Sequence, residues 1–436
     1  MKENFEYKGY WYLPSDPDNK IAGILTYIPN ESIQLELFGT FENEFLTFSY
    51  RDIILGITSD AHKISLINCY PYGSYNFSCP FPITKFSIQY CLDGVYIENF
   101  KDKRFSWSDI TIPELTTWCY PAALDFVYGF SEKDKKNKIS VSVNTDEVKN
   151  PIVSIDVNNL TTLNLKKDAH FNGSERFLNP TFKQSTFLQI RKQNKSSILD
   201  FLSDINLFEE FMSLASLSTI NVAHILLYDE DNYQELDNKN KIYHPIELFY
   251  VQRNVEKVKT KEFDFLFSYS QIEDIFPEFI RKWYSDNSEI TPIRAHLIQS
   301  VKSKTIFDST DFLIVIQAID GFCIRFREER IRFRFNLKKN DKIKLIEELK
   351  FILEEFGDID KIKQSKINIK AAVDSRHYYS HFMNKSKKPN TLDGLELYDL
   401  TKKLRILLIC CLLNFIGIEN IRINELLNKS NNSKLQ

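Results

Sequence analysis

The run Ser375-Arg376-His377-Tyr378-Tyr379-Ser380-His381 reads as part of a helix near the C-terminal end and brings an arginine close to two histidines. Histidine is the side chain whose unperturbed pKa lies near neutrality, so it can take and return a proton while a phosphodiester is cut. A guanidinium stays ionised and can bond two phosphate oxygens at once as they gain charge. Arg376 and His381 supply that pair. Five helical positions turn about 500°, however, which leaves roughly 140° between the two side chains. Three arrangements bring them together: the long arginine side chain bends round, the helix distorts, or a second copy of the helix completes the site across a dimer axis. His377 and His381 are four apart and share a face with Ile369 and Val373, the expected core-facing stripe. His377 is therefore either a second acid/base or a core or interface imidazole with a hydrogen-bond partner. Asp374, His377 and His381 could also hold a divalent ion, but there is no HExxH and no cysteine pair at metal-ligand spacing, so no metal is expected.

The flanking sequence extends the helical pattern. Asp308-Ser309-Thr310-Asp311 offers helix-starting caps before Phe312-Leu313-Ile314-Val315-Ile316-Gln317-Ala318-Ile319-Asp320-Gly321-Phe322. A carboxylate in so apolar a turn either faces solvent at a helix end or is kept for a partner such as Arg376 or a histidine, which makes Asp320 a candidate site residue. Further on, Leu395 to Ile418 reads as a long helix buried nearly all round. Arg405 and Asn414 interrupt it, and it falls short of the roughly 20 apolar residues that a bilayer needs, so it is expected at a bundle centre or dimer interface. Between these helices Arg325, Arg327, Arg330, Arg332 and Arg334 alternate with Phe326, Ile331, Phe333 and Phe335. Period-two alternation predicts a strand or extended arm with arginines on one side, suited to phosphate contact and base stacking. The competing reading pairs those arginines with Glu328, Glu329 or solvent.

From Phe5 to about position 200 short runs rich in Ile, Val, Phe, Tyr and Thr recur between turn signals such as Pro29-Asn30, Asp93-Gly94 and Asn172-Gly173. That pattern predicts antiparallel sheet, as a sandwich or barrel and as one or two successive β units. Ser197 to Ser218 then reads as helical, Ile220 to Tyr250 returns to strands, and Gln271 to Tyr284 and Pro292 to Ser303 begin a mainly helical remainder. The Asp237-Asn238-Lys239-Asn240-Lys241 stretch and the tail after Leu427 read as solvated loops. No paired carboxylates, Gly-rich phosphate loop or nucleophile elbow marks the N-terminal region, which favours a sensing or regulatory role. Trp11, Trp107 and Trp118 could line a ligand groove, but core packing accounts for them more simply.

The 436 residues suffice for two or three cores, and 43% hydrophobic with 14% aromatic content argues against disorder. The N-terminus has no signal-peptide stretch, no segment has the pattern of a membrane span, and the cytoplasm is the expected compartment. Cys69, Cys79, Cys91, Cys119, Cys323, Cys410 and Cys411 form no disulfide or zinc pattern and are expected as reduced thiols. A net charge of -3 gives no global drive toward nucleic acid, so contact with RNA must come from a local basic patch.

The C-terminal region resembles a HEPN domain, and more closely that of the ApeA group of bacterial anti-phage abortive-infection proteins. The resemblance rests on the apolar Phe312 to Asp320 helix, on Ala372-Val373-Asp374-Ser375 leading into the Arg376-to-His381 motif, and on the Leu-rich helix closing at Phe415-Ile416-Gly417-Ile418. The N-terminal part is similar to the family's other domain through Gly9-Tyr10-Trp11-Tyr12-Leu13-Pro14, Ile21-Ala22-Gly23-Ile24-Leu25 and Ile54-Leu55-Gly56-Ile57-Thr58. Nearly the whole chain is covered. The resemblance implies an α+β protein, with a β-rich sensor or regulatory region over 1–270 and an all-α helical bundle over 271–436. It implies a metal-independent endoribonuclease without cofactor, working as a homodimer or higher homo-oligomer, in which the 2′-hydroxyl attacks the adjacent phosphorus. His381 would transfer the proton, Arg376 would hold the scissile phosphate, and Asp320 would orient or tune one of them. The position after the arginine is often Asn or Asp in such motifs and is His377 here. The RNA cut, with transfer RNA as one candidate, and the infection-derived trigger are not legible. The alternatives are a non-catalytic dimerising or RNA-binding module, separated by His381→Ala, and a metal-dependent phosphoesterase, separated by a chelator.

Overall fold

The computed structural model describes residues 4–42, 49–73, 82–120, 124–131, 136–143, 148–172, 181–236, 240–252, 264–285, 288–303 and 308–435. The chain divides into two compact units, one of residues 1–209 and 221–259 and the other of residues 210–220 and 260–436.

In the first unit, alternating apolar residues build an antiparallel barrel. Its strands are β1 (Phe5–Leu13), β2 (Asp16–Ile28), β3 (Ser32–Leu37), β4 (Arg51–Thr58), β5 (Lys63–Tyr72) and β6 (Thr84–Asp93), in the closed order β6-β3-β2-β1-β4-β5-β6. The period of two is explicit: Ile21, Leu25 and Tyr27 of β2 and Ile33, Leu35 and Leu37 of β3 turn inward, while their neighbours face out. Trp11 lies at the centre, fully buried, and Gly56 is its register partner on β4. A Cβ on Gly56 would lie 2.2 Å from the indole, so the close approach of β4 to Trp11 requires glycine. The turns at Asn30 and Gly94 have positive φ, 69° and 111°, as their residue types suit.

Past Gln89, β6 leaves β3 and pairs through Tyr90 to Asp93 with β16 (Ile246–Tyr250). From there a second sheet runs through β13 (His224–Tyr228), β7 (Phe105–Thr111), β12 (Thr181–Ser196), β11 (Thr161–Asn172) and β10 (Val153–Asn158). Two hairpins stand beside it, β8 (Leu124–Ser131) with β9 (Lys136–Val143) and β14 (Tyr233–Glu235) with β15 (Lys241–Tyr243). The short helix α1 (Pro113–Cys119) follows β7, and the longer α2 (Ile198–Ser216) follows β12. The β-rich part is thus a barrel and an open sheet that share β6. Residues 237–239 of the expected Asn- and Lys-rich loop and Gly173 of one turn signal lie outside the described residues, as does Cys79.

The second unit is helical: α3 (Tyr269–Ile272), α4 (Phe276–Tyr284), α5 (Thr291–Lys302), α6 (Ser309–Phe326), α7 (Glu328–Arg334), α8 (Leu345–Glu355), α9 (Asp360–Ser365), α10 (Ile369–His381), α11 (Gly394–Ile416) and α12 (Asn420–Lys429). α11 is its axis, with every residue from Leu404 to Leu413 buried, Arg405 included. Arg405 is satisfied there by Ser300 Oγ at 2.8 Å and Asp311 Oδ2 at 2.7 Å. α6 starts at Asp308, whose side chain accepts from the Thr310 N–H, as the cap signal predicts.

Three sequence expectations need correction. The Gln271 to Tyr284 helix is two short helices, because Pro277 sits in the first turn of α4, where its missing N–H costs nothing. The tail after Leu427 is docked rather than solvated: Leu435 is buried, Ser430 Oγ donates to Phe265 O and Asn432 Nδ2 to Ser216 O. The arginine-aromatic run is helical, the end of α6 followed by α7, instead of a strand. Positions 327, 330 and 334 are also three and four apart, so the same residues fit one helix face.

Candidate active site

α10 places the motif. Asn368 caps it by accepting from the Ala371 N–H. Its buried face is made of Ala371, Ala372, Asp374 and Ser375, small enough for close packing against α6 and α8. This corrects the expected stripe: Ile369, Val373 and His377 are only half-buried and His381 is exposed. The reason is that Asp374 and Ser375 are satisfied inside by the segment that folds back after the helix. Asp374 accepts from Asn390 Nδ2 at 2.7 Å and lies 3.6 Å from Lys388 Nζ, while Ser375 Oγ accepts from the Leu392 N–H at 2.9 Å. Burial alone would raise the Asp374 carboxyl, but the Asn390 donors and Lys388 hold it below the usual carboxylate range. Tyr379 pins the same segment by donating to Leu392 O.

At the end of α10 the arginine side chain bends round to the histidine within one chain. Arg376 Nη1 is 3.1 Å from His381 Nε2, and Arg376 Nη2 is 3.6 Å from Asp320 Oδ2 on α6. The guanidinium therefore bridges Asp320 and His381. Because arginine only donates, Nε2 of His381 is the acceptor in this contact and the proton of the neutral ring lies on Nδ1. The His377 and His381 rings lie side by side, centroids 5.8 Å apart. Burial, with Lys388 and Arg376 nearby, holds the His377 imidazole below its ordinary value, and its buried Nδ1 has no hydrogen-bond partner among the described residues. No group of three His, Cys, Asp or Glu residues that could hold a metal occurs among the described residues, and Asp374 is turned to Asn390 and Lys388.

Sequence reasoning missed Glu348. It lies on α8, 2% exposed, facing Asp320 and Arg376. Burial first, then the Asp320 charge and a hydrogen bond to it, push its carboxyl far above the usual range. A signal was present: in Leu345-Ile346-Glu347-Glu348-Leu349 the acid at 348 is one position from Leu349 on the apolar stripe that continues to Ile352.

The arginine run forms a web of ion pairs rather than a bare basic stripe. Arg327 binds Glu355 through Nε at 3.0 Å and Asn414 Oδ1 at 2.8 Å, Arg330 also meets Glu355, and Arg334 meets Glu354. Arg332 bonds Glu328 and the carbonyls of Lys338 and Asp341, and Arg325 donates to Glu289 O. Arg325, Arg330 and Arg334 are exposed, the last two over more than half of their side chains.

In the first unit Trp11 and Trp118 are core residues, and Trp107 is stacked between Tyr228 and the Arg191 guanidinium. None lines the cavity of about 310 Å³ beside β6, where Glu31, Ser32, Tyr70, Tyr90 and Tyr250 converge. No disulfide joins the described cysteines. Among the described residues no helix is long and apolar enough to cross a membrane.

A β-barrel extended into an antiparallel sheet, followed by a helical bundle in which an Arg–His pair meets a helix-borne acid, defines an α+β protein. Residues 6–283 match the family model described as ApeA N-terminal domain 1, and residues 313–421 match the one described as Apea-like HEPN. The chain belongs to the ApeA family, a group of anti-phage HEPN nucleases. No curated protein and no solved structure matches it.

Proposed function

We propose that the protein is a regulated, metal-independent endoribonuclease of anti-phage defence. The observation that carries this reading is the Arg376 bridge, 3.1 Å to His381 and 3.6 Å to Asp320. Arriving phosphate oxygens draw the guanidinium into a bidentate contact, which releases Nε2 of His381. Freed, Nε2 takes or returns the proton as the 2′-hydroxyl attacks the adjacent phosphorus and the 5′-oxygen departs. The products are a 2′,3′-cyclic phosphate and a 5′-hydroxyl. Asp320 holds Arg376 in place from the other side. His377 is the polar neighbour at the position where related motifs carry Asn or Asp, and the solvent-facing Arg330 and Arg334 offer contacts to the RNA backbone. HEPN domains commonly dimerise, and a homodimer is the expected working form.

Purified protein and its His381→Ala variant, incubated with total RNA in excess EDTA, test this. Fragments ending in 2′,3′-cyclic phosphate from the wild type alone support the reading, and sequencing the ends tells whether transfer RNA is the substrate. Equal fragmentation by both proteins would sink it. The β-rich region is read as the restraint that an infection-derived trigger releases, so lysate from phage-infected cells should accelerate cleavage where lysate from uninfected cells does not.

A further inference from the structure

We infer that Glu348 is a positioning residue that donates its carboxylic proton to Asp320 and thereby holds the Asp320 carboxylate against Arg376. Three helices meet here in pairs, α6, α8 and α10, bringing Asp320, Glu348 and Arg376 to one point inside the second unit. Glu348 is buried, and its Oε2 has no donor among the described residues. A buried carboxylate with an oxygen that lacks a donor, set against a second carboxylate, is costly on both counts. One proton between the two acids removes both costs, leaving a single negative charge on Asp320 for the guanidinium.

The surrounding charges agree. Asp320 and Cys323 of α6 and Glu347 of α8 itself face Glu348, and of these Asp320 and Glu347 oppose its ionisation; Arg376 of α10 favours it less strongly. On α7, Arg330 and Arg334 pair with Glu355 and Glu354 rather than with Glu348. Burial and the Asp320 charge push the Glu348 carboxyl up to about 9.

The sign follows by linkage. A group protonated in the folded state and ionised in the unfolded chain stabilises fully below its unfolded value of about 4.3, and that contribution drains as pH rises toward the folded value. Glu348→Gln keeps the shape and the donor and cannot ionise. Its Tm relative to the wild type should therefore climb by about 4 °C or more between pH 5 and 9. Parallel Tm profiles overturn the proposal. In the unaltered protein, infrared spectra of Glu-labelled material should show a protonated carboxyl band at pH 7 that is absent from Glu348→Gln; a wild type lacking that band overturns it as well.

The consequence for catalysis rests on the ribonuclease reading. The wild type should lose kcat at alkaline pH; Glu348→Gln should cleave RNA within about threefold of wild type at pH 7 and show no such fall, whereas Glu348→Leu should lose at least about tenfold, with KM little changed. An alkaline fall that persists in Glu348→Gln removes the positioning role. A wild type that cuts no RNA at any pH defeats the ribonuclease reading, while the stability and infrared results still decide whether the proton is shared.

Discussion

Arg376 Nη1 reaches His381 Nε2 at 3.1 Å although the two residues leave α10 at well-separated angles. The length and the fork of the arginine make this possible: one arm faces His381 while the other faces Asp320. Lysine has a single compact head and cannot do both. Arg376→Lys should therefore lower the cleavage rate by about 10²–10³-fold, the scale of losing one aimed donor to a developing anion. Single-turnover cleavage of RNA measures it, and an unchanged Tm shows that the fold is intact.

His377 is expected to behave differently from His381. Burial and the cations beside it hold its imidazole below the ordinary value, so the folded protein resists its protonation. Sign and window follow: the favourable contribution is present above the unfolded value of about 6.5 and is lost as pH falls below it. His377→Asn should flatten the acid side of the Tm profile and keep cleavage within about threefold of wild type. A loss in kcat as large as that of His381→Ala would make His377 the second acid/base.

Much of this architecture was legible because periodicity reports burial. Recurring runs of Ile, Val, Phe, Tyr and Thr announced antiparallel sheet, which Ile33, Leu35 and Leu37 realise in the barrel, and the Leu-rich run from Leu404 announced a helix at a bundle centre or dimer interface. Arg325 to Phe335 misled because arginines and aromatics at mixed spacing satisfy a period of two and a helix face alike, and only the glutamates of α8 decide between them. Residues 210–220 belong with the helical unit for a similar reason. Phe211 is surrounded by Phe267, Phe276, Phe279 and Trp283, and local sequence does not disclose that partnership. Glu348 was passed over because its one local signal is its place beside the Leu349 and Ile352 stripe, while the groups it faces lie on other helices far off in the sequence.

The same ion pairs set a limit on RNA contact through α7. Arg327 is enclosed by Glu355 and Asn414, whereas Arg330 and Arg334 are more than half exposed and can exchange a glutamate for a phosphate. Replacing both with alanine should weaken RNA binding evenly across sequences and reduce the magnitude of the slope of log K against log salt by up to about 2. Arg327→Ala should instead lower Tm and leave that slope alone. Fluorescence anisotropy with labelled RNA over a salt series, in the His381→Ala background, separates the two outcomes.

The Asp311–Arg405 pair shows how the bundle sets the site. Nine positions along α6 turn about 900°, a net half-turn, so Asp311 and Asp320 occupy opposite faces of one helix. Asp311 meets Arg405 of α11 at 2.7 Å, with Ser300 of α5 on the same guanidinium, and Asp320 meets Arg376 of α10. Fixing one face fixes the other. Arg405→Met leaves the Asp311 charge buried and alone, and should cost about 3–5 kcal/mol; Asp311→Leu does the same to the arginine. The double variant removes both charges and should recover most of that loss, a coupling readable by chemical denaturation. Cleavage by the double variant should then stay near the wild-type level at low temperature, because Asp320, Arg376 and His381 are untouched. A double variant as unstable as either single one would mean that α6 is held by the shape of this contact rather than by its charge.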